Sequence, residues 1–204
     1  MKKSHWLLVV SLVLLVPTVC LAAVFSGLKD LPLEWKPTHA VSSYGAIDMT
    51  VYKNVRLVIT PFGDARKRPS EIGQNSEKKF AGRDMLVTTK ESVPDWLTFR
   101  FHKILSDFDI TVVKTDGNLT LEAEVIKFFV TEESIYKAEV AVKVRLKSAD
   151  NKTVWEGMAT GTASRVGSSF KADNYFERLS DATISAVHNL LKNNSFLQAV
   201  HKTL

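Results

Sequence analysis

Cysteine occurs once in the 204 residues, at Cys20. A single thiol closes no intramolecular disulfide, and Cys20 lies inside a segment that reads as a removable leader. If it leaves with that leader, thiol catalysis and cysteine-ligated zinc are both excluded. The fold must then be held by its core alone, which a chain of this length can supply. Histidine is almost as uninformative. His5, His39, His102, His188 and His201 lie far apart, with no H-x-x-x-H or H-E-x-x-H pair to suggest a metal site. His102 and His188 each sit beside the apolar stripe of a helical segment and read as helix-flank residues. There is no G-x-S-x-G elbow, no P-loop and no dinucleotide fingerprint, and Gly161-Thr162-Ala163-Ser164 falls in a strand pattern. Internal repeats and low-complexity tracts are absent as well. The excess of one charge sign is small: 27 Lys+Arg against 22 Asp+Glu gives +5. With 45% apolar and 24% charged residues, collagen-like, coiled-coil and wholly disordered chains are excluded.

What is present begins with the leader, MKKSHWLLVVSLVLLVPTVCLAA. Two lysines precede an apolar run from Trp6 to Val16, and Pro17 and small residues follow, the layout of a secretory signal peptide. The run is 11 residues long, whereas spanning a hydrocarbon core takes about 20. Extended through Pro17 to Phe25 it would reach a spanning length, so an uncleaved anchor stays open. Cys20-Leu21-Ala22 places small residues for cleavage after Ala22 or Ala23. The rival reading makes Cys20 the lipid-modified first residue of a lipoprotein, although Pro17 and Val19 stand where that pattern expects a Leu-like and a small residue. Removing the first 22 of 204 residues leaves 182, and losing Lys2 and Lys3 lowers the net charge from +5 to +3. The chain divides into a signal peptide (1–22), an extended N-terminal arm (23–54) and one domain (55–204).

Along the domain, hydrophobic period assigns the elements. The arm carries Leu31, Leu33 and Trp35 in alternation and predicts a short strand near Ala46–Tyr52. Val55–Phe62 is apolar on both faces, the mark of a strand central in its sheet. Residues 63–82 are polar and rich in Gly, Pro and charge, and read as a long loop. Met85–Thr89 fits a short edge strand. Ser92 and Pro94-Asp95 announce a helix whose stripe is Leu97, Phe101, Ile104, Leu105 and Phe108. Asp109–Lys114 reads as a strand and Asp116-Gly117-Asn118 as a hairpin turn. Leu119–Val130 is a long strand whose apolar phase slips near Val125, predicting a β-bulge. The next strand alternates from Ala138 to Leu146, and Thr153–Val166 presents Trp155, Gly157, Ala159, Gly161 and Ala163 on one face. Those small residues form a trough that a helix backbone could enter. The following helix, with Asn174 and Glu177 spaced as a capping box, carries Phe176, Leu179, Thr183, Ala186, Val187, Leu190 and Leu191. A short amphipathic tail with Phe196, Leu197 and Val200 ends the chain. The expected fold is α+β, a two-layer sandwich of one mixed, mostly antiparallel sheet with two amphipathic helices packed on one face.

Candidate chemistry is sparse. Glu122 and Glu124 share a strand face and Glu132-Glu133 fall at a hairpin, and both pairs read as solvated carboxylates with cross-strand partners such as Lys143 and Arg145. Basic residues cluster at Arg66-Lys67-Arg68, with Lys78-Lys79 and Arg83 nearby, in a loop that also holds Asp64, Glu71 and Glu77. Asp64 and Arg66 form a candidate recognition pair at the end of the first strand, with Lys67 and Arg68 beside them. The alternative is structural, with Asp64 capping the turn and Arg66 held by a loop carboxylate.

These segments, taken in order, resemble a known family. VRLVITPFGDARKRPSEIG (55–73), WLTFRFHKILSDFDITVV (96–113), LTLEAEVIKFFV (119–130) and VWEGMATGTASR (154–165) look like the corresponding stretches of the YajG-like lipoproteins of Gram-negative bacteria, over about residues 55–200. The resemblance implies a small envelope protein, exported to the periplasm and attached to the outer membrane, with no enzymatic activity and no cofactor. The degraded lipobox around Cys20 departs from the family. The expectation is a non-catalytic binding or scaffold module with an envelope protein partner and no nucleic-acid partner. The oligomeric state is left open. The alternative is an accessory subunit of a lipid or polysaccharide export system, holding an apolar ligand between sheet and helices at the small-residue trough.

Overall fold

The computed structural model of the protein describes residues 27–77 and 85–204. The leader with Cys20, Ala22 and Ala23 lies outside these residues, as do Lys78, Lys79 and Arg83 of the basic cluster. In chain order the strands are β1 (Arg56–Ile59), β2 (Gly63–Asp64), β3 (Glu71–Asn75), β4 (Met85–Thr88), β5 (Thr111–Val113), β6 (Leu119–Glu132), β7 (Tyr136–Ser148) and β8 (Thr153–Arg165). The helices are α1 (Val93–Asp107), α2 (Ala172–Lys192) and α3 (Asn194–Thr203).

The sheet is organised on β6. On one side it pairs antiparallel with β7 along its whole length, and β7 pairs in the same way with β8. The alternation in β7 buries Ala138, Val140, Val142, Val144 and Leu146 on one face and leaves Lys137, Lys143 and Arg145 exposed on the other. The register shifts between Val125 and Lys127, where the slip in apolar phase predicts a bulge. On its other side β6 takes three short parallel partners in succession, β1 at Leu119–Leu121, β2 at Glu124–Val125 and β3 at Val130–Glu132. β5 lies beyond β1, in parallel, and β4 lies beyond β3, antiparallel. The result is an α+β fold on one mixed sheet, with β1 central as its two apolar faces require.

Several expectations are corrected. The 63–82 segment is not all loop, since β2 and β3 lie within it. β3 reads EIGQN and becomes a strand because β4 and β6 pair with it, not through its own alternation. Asp116-Gly117-Asn118 does not close a hairpin, because β1 lies between β5 and β6 and all three run parallel. The turn passes over β1 and is pinned by Asn118, whose Oδ1 accepts from Arg56 N at 2.8 Å and whose Nδ2 donates to Asn54 O at 2.7 Å. No strand forms near Ala46–Tyr52. Met49–Tyr52 is a 3-10 turn with Asp48 accepting from Thr50 N.

The helices follow from their stripes. In α1, Ser92 caps the N-terminus by accepting from Asp95 N, and Leu97, Phe101, Ile104 and Leu105 are buried. α2 starts at Ala172 without a side-chain cap, so Asn174 and Glu177 are not a capping box. Asn174 donates to Ser168 O and Glu177 accepts from Arg165 instead. The small-residue trough of β8 is filled by α2. A Cβ built on Gly161 would lie 2.1 Å from Ala182 O and 2.3 Å from Ala186 N, so glycine is what lets the two backbones meet. Asn193 ends α2 and caps α3, accepting from Ser195 N and Phe196 N.

The arm straps the helix layer. It begins beside β4, where Thr88 N donates to Leu28 O at 2.9 Å and Leu31 N donates to Thr88 O at 2.8 Å. Trp96 Nε1 then donates to Leu33 O, and the Arg100 guanidinium lies over the Trp35 and Trp96 rings. Further on, Lys36 N and Thr38 N donate to Ser180 and Asp181 of α2, and Tyr52 Oη donates to Leu191 O. α2 is therefore packed between sheet, α1 and arm, and 14 of its 21 residues are buried.

Candidate functional site

The structure brings Asp64 and Arg66 together, but toward each other. Arg66 Nε and Nη2 donate to the two Asp64 carboxylate oxygens at 2.9 and 2.8 Å, and Arg66 N donates to Asp64 Oδ1 at 3.1 Å. The rest of the guanidinium donates to the Pro69 and Glu71 carbonyls. The pair staples the turn between β2 and β3. Partial burial alone pushes the Asp64 carboxyl up, but the hydrogen bonds and charge of Arg66 outweigh it and hold the group below the usual carboxylate range. Arg68 pairs with Glu71 at 3.3 Å, and Lys67 is exposed with no ion pair among the described residues. Arg66, Lys67 and Arg68 line a groove of about 240 Å³ with Glu71 and Phe129, and Asp64 and Arg66 border another of about 560 Å³ with Ser70 and Glu91.

A pKa lowered in the folded state stabilises above the unfolded carboxyl value, about 3.9, and that contribution is lost as pH falls through the folded one. Asp64→Asn is therefore expected to cost about 1 to 2 kcal/mol at pH 7. The gap from the wild type should narrow below about pH 4, as urea denaturation at pH 7 and pH 3 would show. A gap of the same size at both pH values would contradict the role given to the carboxylate.

Of the expected cross-strand partners on the helix-free face, Arg145 reaches Glu122, whereas Lys143, opposite Glu124 in the ladder, pairs with Glu156. Glu122 meets Lys147 at 2.6 Å and Arg145 at 3.8 Å, Glu156 meets Lys143 and Arg145, and Lys127 meets Glu139 at 2.6 Å. Glu132 departs from the expectation of a solvated group. It is buried, and its carboxylate accepts from Phe170 N at 2.7 Å and Tyr175 Oη at 2.6 Å, tying the end of β6 to the start of α2. A groove of about 580 Å³ crosses the helix-free face where β6, β7 and β8 approach their ends, lined by Phe129, Thr131, Lys137, Glu139, Thr162 and Ser164. On the other face, the room an apolar ligand would need at the trough is taken by α2. The core void lined by Tyr52, Leu105, Leu190 and Phe196 measures about 10 Å³.

The outer edges of the sheet differ. The β4 edge is covered by the arm, which supplies backbone partners through Leu28 and Leu31, and the β5 edge is only three residues long. The β8 side is a 13-residue strand that, among the described residues, pairs with β7 alone. The Asn189 amide of α2 reaches the Thr160 carbonyl from outside the sheet at 2.9 Å. Residues of the same parity, Met158, Thr162 and Ser164, therefore also turn their N–H and C=O groups away from β7. Sequence reading found the small-residue face of this strand but not that it ends the sheet, because strand order is set by pairing between distant segments.

A second cluster went unread. Asp181 and Arg178 stand three apart on α2, and their side chains are 2% and 4% exposed. Asp181 accepts from Arg178 at 3.0 Å and from Thr38 N and Oγ1 at 2.8 and 2.6 Å. Helical spacing puts both on the face opposite the apolar stripe, where charged residues read as solvated, and it is the distant arm residue Thr38 that covers them. His188 packs with Tyr44 and Phe108, its Nε2 3.3 Å from Gly45 O, and serves the same arm contact.

No protein-family model and no curated protein matches the chain. Among solved structures it is similar to a protein of Xanthomonas campestris from the family DUF330, at 15% identity and a TM-score of 0.46, covering 67% of this chain and 81% of that one. It is similar to a protein of Caulobacter crescentus assigned as a lipoprotein, at 11% identity and a TM-score of 0.38, covering 47% and 77%. A lipoprotein of Neisseria meningitidis matches at 14% identity and a TM-score of 0.26, covering 55% and 85%. Among the described residues no helix is long and apolar enough to cross a membrane.

Proposed function

We propose that the chain is a non-catalytic binding or scaffold module of the bacterial envelope, docking a partner along the outer edge of β8. The observation that carries this reading is the contrast among the sheet's outer edges: the arm covers β4 and β5 is only three residues long, while β8 presents a long row of outward backbone groups. An uncovered edge is a template for another strand, and folds that leave one bare usually guard it with Lys, Pro or a bulge. Residues 157–164, GMATGTAS, carry no charge and no proline, and the β7–β8 register is regular through them. The export leader and the resemblance to YajG-like lipoproteins support an envelope location.

Hydrogen exchange tests the reading. In the purified protein the outward amides of Met158, Thr160 and Thr162 should exchange freely, and detergent-solubilised envelope extract should slow them at least tenfold, roughly the effect of 1.4 kcal/mol of protection. Protection confined to residues 65–70 would overturn it.

A further inference from the structure

We infer that the strand completing β8 is an extended, single segment of a different protein, uncharged over its central five or six residues, and not β8 of a second copy. This rests on the edge reading above.

The position of α2 decides against the second copy. A two-fold axis normal to the sheet would pair β8 antiparallel with its own copy and leave both α2 helices on the same face. Paired strands lie about 4.8 Å apart, whereas packed helices need 8–10 Å between axes. The contacts a Cβ at Gly161 would make with Ala182 O and Ala186 N place the α2 backbone directly over β8, with no inward offset to absorb the difference. Two copies would therefore drive their α2 helices into each other before the strands could hydrogen-bond. A lone extended segment carries no helix, and β8 can accept it.

The chemistry of the edge describes that segment. On the helix-free face it would run beside Met158, which is 45% exposed, then Thr160, and then Thr162 and Ser164, which line the groove. On the helix side it would pass Ser185 and Asn189 of α2, which are half-buried and exposed. None of these residues is charged. The charges of this edge stand toward its ends and are already paired, Glu156 with Lys143 and Arg145 and Arg165 with Glu177. A charged residue in the middle of the incoming strand would lose hydration without gaining a partner. Thr, Ser, Val and Ala suit the centre, with an apolar residue opposite Met158. Asn189 now occupies the Thr160 carbonyl. Its amide is exposed, so an N–H of the incoming strand can replace it.

The test is photo-crosslinking of the full-length chain in bacterial envelopes, with a photoreactive residue at Thr162 and, separately, at Lys67. The expected result is an adduct from position 162 with another protein, its crosslinked peptide an uncharged extended stretch. The yield should fall at least tenfold when Thr160→Pro is added. Proline removes an outward N–H while leaving the β7 ladder intact, and an unchanged melting temperature would confirm that the variant folds. Adducts between position 162 and residues 153–166 of a second copy would overturn this inference and leave the edge reading standing. Adducts from position 67 alone, or none from either position, would overturn both.

Discussion

Gly161→Val should destabilise the protein by about 3 to 5 kcal/mol, a fall of roughly 10 °C in melting temperature for a domain of this size. Overpacked side chains are usually relieved by a rotamer change, but here the neighbours are main chain. The Cβ would meet Ala182 O at 2.1 Å and Ala186 N at 2.3 Å, so α2 itself must move. α2 is held on its other sides by α1 and by the arm through Ser180, Asp181 and Leu191. It cannot lift off β8 without disturbing those contacts. Gly157→Ala is the graded comparison. Its Cβ would meet the Trp155 ring at 2.4 Å, and that ring can swing away, losing its bond to Ser195 and its edge contact with Phe196. Gly63→Ala is the control, with its nearest neighbour at 3.7 Å and an expected change within about 0.5 kcal/mol. Thermal denaturation of the three variants gives the order. If Gly161→Val lay within about 1 kcal/mol of wild type, α2 would not bear on β8 as described.

That contact shows which parts of the molecule its residues announced. The trough was visible because alternation in β8 placed Gly157, Ala159, Gly161 and Ala163 on one face, and period-two patterning needs only local sequence. The stripes of α1 and α2 were visible for the same reason. β3 was not, because Ile72 is its single large apolar residue and its strand geometry is imposed by β6 on one side and β4 on the other. The supposed hairpin at Asp116–Asn118 failed for a related cause. A turn sequence signals that the chain reverses, not what lies between the two arms, and here β1 does. At the candidate site the composition of the edge was legible and its location was not. For Asp64 and Arg66 the residues left two readings, a recognition pair or a turn cap with Arg66 held by a loop carboxylate, and the structure adds a contact neither named: Arg66 binds Asp64 itself across the turn.

Asp181→Ala tests the other contact that holds α2, and its cost comes from what it leaves behind. Arg178 and Asp181 are both almost fully buried, so each has given up most of its hydration. Removing the carboxylate takes away the Arg178 partner at 3.0 Å and orphans the Thr38 N–H. Arg178 Nε has no hydrogen-bond partner even in the intact protein. Glu177 stands 3.5 Å from the guanidinium and is 27% exposed, so it compensates only in part. Breaking a buried pair from one side costs about 3 to 5 kcal/mol, whereas replacing both partners with apolar groups of similar size can be neutral or stabilising. Urea denaturation should therefore find Asp181→Ala strongly destabilised and the double variant Arg178→Met/Asp181→Leu close to wild type. A second readout separates this pair from a general loss of core packing. The carboxylate is also what Thr38 binds, so arm residues 36–45 should become sensitive to protease in both variants, while only the single variant loses global stability. Equal destabilisation of the two would mean that the attraction between the charges outweighs their desolvation. An arm that stayed protected in both would show that Leu33, Trp35 and Tyr52 hold it without Asp181.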